Sequence, residues 1–241
     1  MIRPIQTVAV NTFTESIRQP VFVVLLLFIA VVLVLGNATS AYTFADDTIQ
    51  MVVMGVAMLM LWGMVLGALV AAGVFSREIE NRTVLTVISK PIGRPAFVIG
   101  KYLGVIAAVS LAMWIWSVIL LLLIRHKVIG AASDTLDLPV LTFGLGALGL
   151  ALLVAVWGNY FYNWVFTSTF VRMLAVTITL AYVMVLMINK QWQFQPIWTE
   201  FDPNTAPITN YGEEAKSLGQ VILALVLVIE AVWLLCAVAV A

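Results

Sequence analysis

Charged side chains able to form ion pairs with a partner are concentrated in one short segment of this chain. The chain has twelve basic and twelve acidic residues, and the segment Arg77–Lys101 holds seven of these charged residues. Two stretches without charge, Thr48–Ser76 and Tyr102–Ile124, flank it. Charge concentrated in this way suits ionic recognition of a soluble partner. The segment is therefore the first candidate for function.

Residues that could support catalysis or hold a metal ion are sparse. Cys236 and His126 are the only cysteine and the only histidine, and neither has the neighbours that form a metal site. The segment Gly93–Lys101 is not a phosphate-binding loop, because six residues separate Gly93 from the Gly-Lys pair and Tyr102 follows where Ser or Thr must reach Mg²⁺. The apolar stretches contain no paired carboxylates and no Ser-His arrangement. We expect no catalytic residue, metal site or ATP site in this chain.

The composition identifies the elements that must position this segment. The chain is 63% hydrophobic and 10% charged, whereas soluble proteins average roughly 45–50% apolar and about 25% charged residues. Its charge-free runs reach or exceed the roughly 20 residues that a helix needs to cross a bilayer, and strand-like alternation is absent. The sequence therefore predicts an all-α integral membrane protein in contact with lipid. A net charge of +0 argues against a nucleic-acid partner.

Six transmembrane helices are predicted, together forming one domain over residues 20–241. Their approximate bounds are 20–37, 50–75, 97–124, 139–160, 166–188 and 218–240. The fourth and fifth are separated by a predicted turn in Trp157–Trp164, where Gly158, Asn159 and Asn163 interrupt the apolar pattern. If that turn does not form, the count falls to five.

Residues 1–19 predict a short amphipathic helix in the membrane interface, because apolar residues recur at helical spacing between polar ones. A cleaved signal peptide is the rival interpretation, since arginines precede an apolar run and Thr39–Ala41 could serve as a cleavage site. The apolar run Pro20–Gly36 is longer than the usual core of about 7–15 residues, which argues against cleavage.

The distribution of Lys and Arg predicts the orientation. With six spans, one side of the membrane holds eight basic residues and the other holds four: Arg3, Arg18, Arg77, Arg82, Lys90, Arg94, Lys101 and Arg172, against Arg125, Lys127, Lys190 and Lys216. By the positive-inside rule, both termini and the charged segment face the cytoplasm.

The charged segment has a readable internal order. Ser76–Ser89 contains neither Gly nor Pro, and Val84, Leu85, Val87 and Ile88 share one side of a helix wound at about 100° per residue. Lys90-Pro91 then ends this helix. Arg94-Pro95 begins the next one, with Pro in the first turn where its missing N–H costs nothing. The sequence thus predicts a short cytoplasmic helix within residues 76–96.

This order of residues resembles the segment after the second span of ABC-2-type transporter permeases, where a coupling helix docks on an ATPase subunit. The matching residues are Glu78, Glu80, Thr83, the helix Val84–Ile88, Lys90-Pro91, Arg94 and Gly100-Lys101. Arg82 departs from the family, which commonly has Gly before the Thr. Asn11–Arg18 is similar to the family's N-terminal elbow helix. The branch most similar is that of multicopper-enzyme maturation, which includes the permease for nitrous oxide reductase assembly.

The resemblance implies a permease subunit of a bacterial or archaeal plasma membrane. Two copies of a separate ATPase would bind ATP and Mg, and a second permease copy, identical or related, would complete the transporter. Glu78, Glu80 and Arg82 would pair with charges of the ATPase, and Val84–Ile88 would fill an apolar groove. The substrate is not indicated. The alternatives are a scaffold that recruits a soluble partner without transport, a merely solvated loop, and, with least support, an intramembrane enzyme.

Three further features have two interpretations each. Glu230, in the sixth predicted span, either lines a substrate or ion path or pairs with Arg172 to hold two helices together. The small residues Gly63, Gly67 and Ala71 recur every four positions and offer a flat strip, either for packing within the chain or for a second copy. The aromatic-rich loop Asn189–Ser217 either anchors the chain at the interface or covers an exit.

Overall fold

The structure, a computed structural model, describes residues 2–40, 47–81, 94–126, 136–188 and 192–194. These ranges contain six helices: α1 (Ile2–Arg18), α2 (Pro20–Ser40), α3 (Asp47–Asn81), α4 (Arg94–His126), α5 (Leu138–Tyr162) and α6 (Phe166–Met187). Extended pairing within these ranges is limited to an isolated bridge between Ile188 and Phe194. The all-α prediction is confirmed for the described part of the chain.

Four of these helices are long and apolar enough to cross a membrane: Gln50–Arg77 within α3, Pro95–His126 within α4, and the whole of α5 and α6. A fifth span is added if α1 and α2, which meet at an angle of 64°, count as one broken span. The chain is thus a helical membrane protein. The span predicted at 218–240 lies outside the described residues, so the count of six stays a prediction.

The bend between α1 and α2 has a local cause. Pro20 has no N–H to donate, and its ring would clash with a carbonyl of the preceding turn if the helix continued. The chain therefore breaks at Gln19, whose N–H donates to the carbonyl of Ser16 (3.2 Å) while its own carbonyl accepts from Phe22 (3.1 Å). The two helices share this joint without an intervening loop.

Helix α3 extends beyond the boundary predicted for it. The sequence predicts a span ending near residue 75 and a separate helix beginning at Ser76, whereas α3 is continuous through Asn81. No Gly or Pro after Gly73 interrupts it. Its 35 residues measure about 52 Å at about 1.5 Å per residue, well beyond a hydrocarbon core of about 30 Å. The last turns of α3 are therefore an extension of a membrane span.

Helix α4 is the centre of the described bundle. It begins at Arg94, as the Arg94-Pro95 pattern predicts, and it contacts each of the other five helices. In its most apolar stretch 67% of residues are buried, against 22–33% in α3, α5 and α6. The Trp116 indole is fully buried and donates from Nε1 to the carbonyl of Leu26 in α2 (3.0 Å). A movement of α4 would therefore reach the rest of the bundle.

Helices α5 and α6 form a hairpin joined at the turn that the sequence predicts. Asn163 adopts a left-handed conformation (φ 54°) after α5, and Trp164 N–H donates to the carbonyl of Gly158 (3.1 Å). A side chain at position 158 would have its Cβ 2.5 Å from the Trp164 ring, so this turn requires glycine. Two separate helices at this place are confirmed. The hairpin packs mainly on itself, and α5 touches α4 only slightly.

Candidate functional site

Four helices meet at one end of the bundle, which we call the α1 end. It comprises α1, the last turns of α3, the first turns of α4 and the first turns of α6. The hydroxyl of Thr167 in α6 donates to the carbonyl of Arg18 in α1 (3.2 Å), and Arg77 of α3 lies 3.8 Å from Glu15 of α1. Both flanks of the charged segment predicted from the sequence belong to this end.

The contact between α1 and α4 depends on two glycines. A Cβ at Gly104 would lie 2.6 Å from both the carbonyl oxygen of Ala9 and the Cβ of Thr12. A Cβ at Gly100 would lie 2.8 Å from the Cβ of Val8. Because residues four apart share one helix face, these glycines form a groove in which the backbone of α1 lies directly against α4.

The apolar face of α1 is covered by protein. Ile17 is buried and Ala9 and Phe13 are half-buried, whereas Thr7 and Asn11 on the opposite face are exposed. The sequence predicts that the apolar face of this helix contacts the membrane interface, but in the structure it packs against the glycine groove of α4. Sequence periodicity identifies an apolar face without identifying what covers it. The signal that could have found the groove was the spacing of Gly100 and Gly104.

Helices α1 and α3 are joined by polar contacts. Gln19 is buried, and a Cβ at Gly73 would lie 2.9 Å from its Oε1, so Gly73 provides the space for this carboxamide. The Arg77–Glu15 pair is partly exposed, with 44% and 39% of the side chains accessible. Ion pairs with such exposure contribute about 0–1 kcal/mol. The joint therefore depends on packing more than on charge.

The residues predicted to couple with an ATPase are only partly described. The backbone of Glu78 and Glu80 lies in the last turns of α3, and Arg94 is the first residue of α4. The others lie outside the described residues, so their helix and its contacts stay predictions: Arg82, Thr83, Val84, Leu85, Val87, Ile88, Lys90 and Pro91. Twelve residues, 82–93, connect α3 to α4 at the α1 end.

The other residues singled out by sequence have different environments. Arg172 is exposed and bonds within its own helix, donating from Nε to the carbonyl of Ser168 (3.0 Å). Glu230 lies outside the described residues, so its pairing with Arg172 stays a prediction. Gly63, Gly67 and Ala71 are buried, which favours packing within the chain over contact with a second copy. Of the loop after α6, the exposed Trp192 and Phe194 are described.

The opposite end of the bundle, which we call the distal end, contains an ion pair that sequence reasoning missed. Asp137 is fully buried at the start of α5, where its Oδ1 accepts from the N–H of Val140 (3.4 Å). Its Oδ2 lies 3.8 Å from Nε of Arg125, at the end of α4, and an Nη of Arg125 donates to the carbonyl of Ile188 after α6 (2.9 Å). Arg125 therefore ties three helix ends together. Asp before Leu138-Pro139 is a recognisable capping signal, but nothing in the sequence indicates its pairing with Arg125.

The α1 end offers close helix contacts and charged side chains. Within the described residues, no group of three or more His, Cys, Asp or Glu side chains could hold a metal ion. Rigid helix contacts, polar joints and the flanks of a charged connection are present there instead. No protein-family model matches the sequence, and no curated protein matches it either.

Proposed function

We propose that this chain is the membrane-spanning subunit of an ABC-2-type transporter, and that it couples ATP hydrolysis by a separate ATPase to movement of its membrane helices. The observation that carries the proposal is the close-packed joint of α1, α3 and α4 at the α1 end. The connection 82–93, which is the middle part of the charged segment Arg77–Lys101, leaves α3 and enters α4 at this joint. In the proposed orientation this end faces the cytoplasm.

The packing of α4 supports a mechanical role for the connection. A force on residues 82–93 passes directly into the extended end of α3 and the start of α4, since both helices are covalent continuations of that segment. At Gly100 and Gly104, backbone atoms of α1 and the β-branched side chains of Val8 and Thr12 lie directly against the α4 backbone. Close-packed contacts transmit displacement because they have little free volume. Rigid-body movement of α4 would then reposition the helices packed around it.

The partner in this proposal is a soluble ATPase that carries the ATP and Mg. The carboxylates of Glu78 and Glu80, with Arg82, would pair with charges around its groove, and Val84–Ile88 would supply the apolar contact at the centre. Two such ATPases would act on a pair of permease chains. The permease itself would hydrolyse nothing.

Affinity purification of the tagged chain from its native membranes tests the proposal. We expect an ATPase subunit to co-purify, and its hydrolysis rate to change when it is reconstituted with the chain in vesicles. The double variant Glu78→Lys, Glu80→Lys reverses two charges in the last turns of α3, so we expect it to lose the bound ATPase. Glu15→Lys is the matched control, because Glu15 is a carboxylate of the same end that pairs with Arg77 inside the chain.

Two results would contradict the proposal. One is retention of the ATPase, with the same hydrolysis rate, by the Glu78, Glu80 double variant. The other is co-purification of a soluble protein without ATPase activity, which would support the scaffold function instead.

A further inference from the structure

We infer that Arg18 and Arg172 form a binding site for the phosphate headgroup of an anionic membrane lipid at the α1 end. The inference is independent of the transporter proposal. It depends on the positions of these two arginines, on the residues around them and on the surface in which they lie.

The first step is the geometry of Arg172. It lies six residues after Phe166, the start of α6, yet its side chain folds back toward that start: Nε donates to the Ser168 carbonyl (3.0 Å), and an Nη lies 3.4 Å from the Ser168 hydroxyl. The 22 residues of α6 measure about 33 Å, close to the hydrocarbon thickness of about 30 Å. The guanidinium is thus directed toward the headgroup region, as expected for a cation in a span.

The second step brings Arg18 to the same place. Thr167, the residue before Ser168, donates from its hydroxyl to the Arg18 carbonyl (3.2 Å). The backbone of Arg18 and the side chain of Arg172 therefore both lie at the first turn of α6. Both side chains are exposed, and neither forms an ion pair with an acidic side chain that the structure describes.

The third step is the charge of the side chains that the structure describes at this end. Among them the one carboxylate, Glu15, is already beside Arg77. Two unpaired guanidinium groups favour a ligand with a net negative charge over a zwitterionic one, whose own amine neutralises its phosphate. Guanidinium also binds phosphate oxygens through paired N–H donors, which makes arginine suited to this headgroup.

The surrounding surface favours a lipid over a soluble anion. The turn before α6 exposes Tyr162 (64%) and Trp164 (49%), whose rings stack at 5.3 Å. Exposed Tyr and Trp at the end of a span are typical of headgroup depth. Basic pockets between membrane helices on the cytoplasmic side are known to bind anionic headgroups. A lipid phosphate can reach the arginines while its acyl chains lie along the apolar surface of the hairpin.

Native mass spectrometry of the full chain tests the site. The protein is released from vesicles containing equal amounts of phosphatidylglycerol and phosphatidylethanolamine. We expect the wild type to retain phosphatidylglycerol, and Arg172→Gln and Arg18→Gln each to reduce its retention about tenfold, equivalent to one charged contact of about 1.4 kcal/mol. Arg172→Lys should recover part of it, because the charge remains while the paired donors are lost. Arg77→Gln is the matched control, since this arginine already has Glu15, and we expect it to retain the lipid.

The inference would be overturned by unchanged lipid retention in both Arg172→Gln and Arg18→Gln, or by an equal loss in Arg77→Gln. It would also be overturned if the protein showed no preference between the two lipids. Displacement of the lipid by soluble glycerol phosphate at millimolar concentration would indicate a free-phosphate site instead. A gain in lipid retention by Glu230→Gln would show that a carboxylate of this chain occupies Arg172 in the wild type, and would also contradict a lipid site. Thermal unfolding of each variant, expected to match the wild type, shows that lipid loss does not follow from misfolding.

Discussion

The two ends of the described bundle are held together by different interactions. At the α1 end, backbones approach directly at Gly100 and Gly104, and charged side chains lie on the outside. At the distal end, a buried carboxylate, Asp137, faces Arg125, which also bonds the carbonyl of Ile188. A buried carboxylate that loses its cation is strongly destabilising, whereas a packed joint distributes its contacts over many atoms. The distal end therefore depends on one ion pair, and the α1 end on close packing.

This comparison is most directly tested by Arg125→Met. The substitution leaves the buried Asp137 without its cation and leaves the Ile188 carbonyl without its donor. Removing one member of a buried pair costs about 3–5 kcal/mol, and we expect that loss in the free energy of unfolding in detergent. Arg125→Lys keeps the charge and should lose less. A loss below about 1 kcal/mol in Arg125→Met would mean that the pair does not hold the distal end.

The packed joint is tested by Gly104→Val. The new side chain would begin 2.6 Å from the Ala9 carbonyl oxygen, so α1 must move away from α4. Overpacking of this kind costs about 1–3 kcal/mol, which we expect as a lower midpoint of thermal unfolding. Gly146→Val is the control, because no atom lies within 4 Å of a Cβ at that position in α5. Equal shifts in the two variants would show that β-branching in a helix, and not the joint, causes the loss.

The smallest effect is expected at the exposed pair of the α1 end. A double-mutant cycle of Glu15→Gln and Arg77→Gln should give a coupling energy of about 0–1 kcal/mol, because both side chains are partly exposed. The coupling should weaken further in high salt. A salt-insensitive coupling above about 2 kcal/mol would place this pair in the same class as Arg125–Asp137 and remove the contrast between the ends.

Features with a local cause were predictable. Asn163 indicates the turn between α5 and α6, because Asn readily adopts the left-handed conformation, and Pro95 indicates the start of α4, because its fixed φ suits a first turn. The span predicted at about 50–75 agrees with the membrane-crossing part of α3, Gln50–Arg77, but the helix itself continues to Asn81. The change from apolar to charged residues marks where a membrane span can end, but only a Gly, a Pro or a cap ends the helix itself.

Features that depend on distant residues were not predictable from their own segment. Arg125 and Asp137 are separated by residues that carry no signal of pairing, and the Ile188 carbonyl lies 63 positions further along the chain from Arg125. Likewise, Gly100 and Gly104 indicate that something packs closely on α4, without indicating that α1 does so. For the candidate site, the sequence located the charged segment between α3 and α4, and the contacts of that segment with an ATPase stay a prediction.

By itself, the sequence determined that this is a helical membrane protein, because composition and the length of the apolar runs decide whether each segment lies in lipid or in water. It also determined the amphipathic character of α1 and the concentration of charge at residues 77–101. Only the tertiary structure decided that α4 covers the apolar face of α1, that the start of α6 lies against the end of α1, and that an ion pair joins the helix ends at the distal end. The physical reason is that lipid and a neighbouring helix are equally apolar, so periodicity alone cannot distinguish them, while long-range pairs are chosen by the packing of the whole bundle.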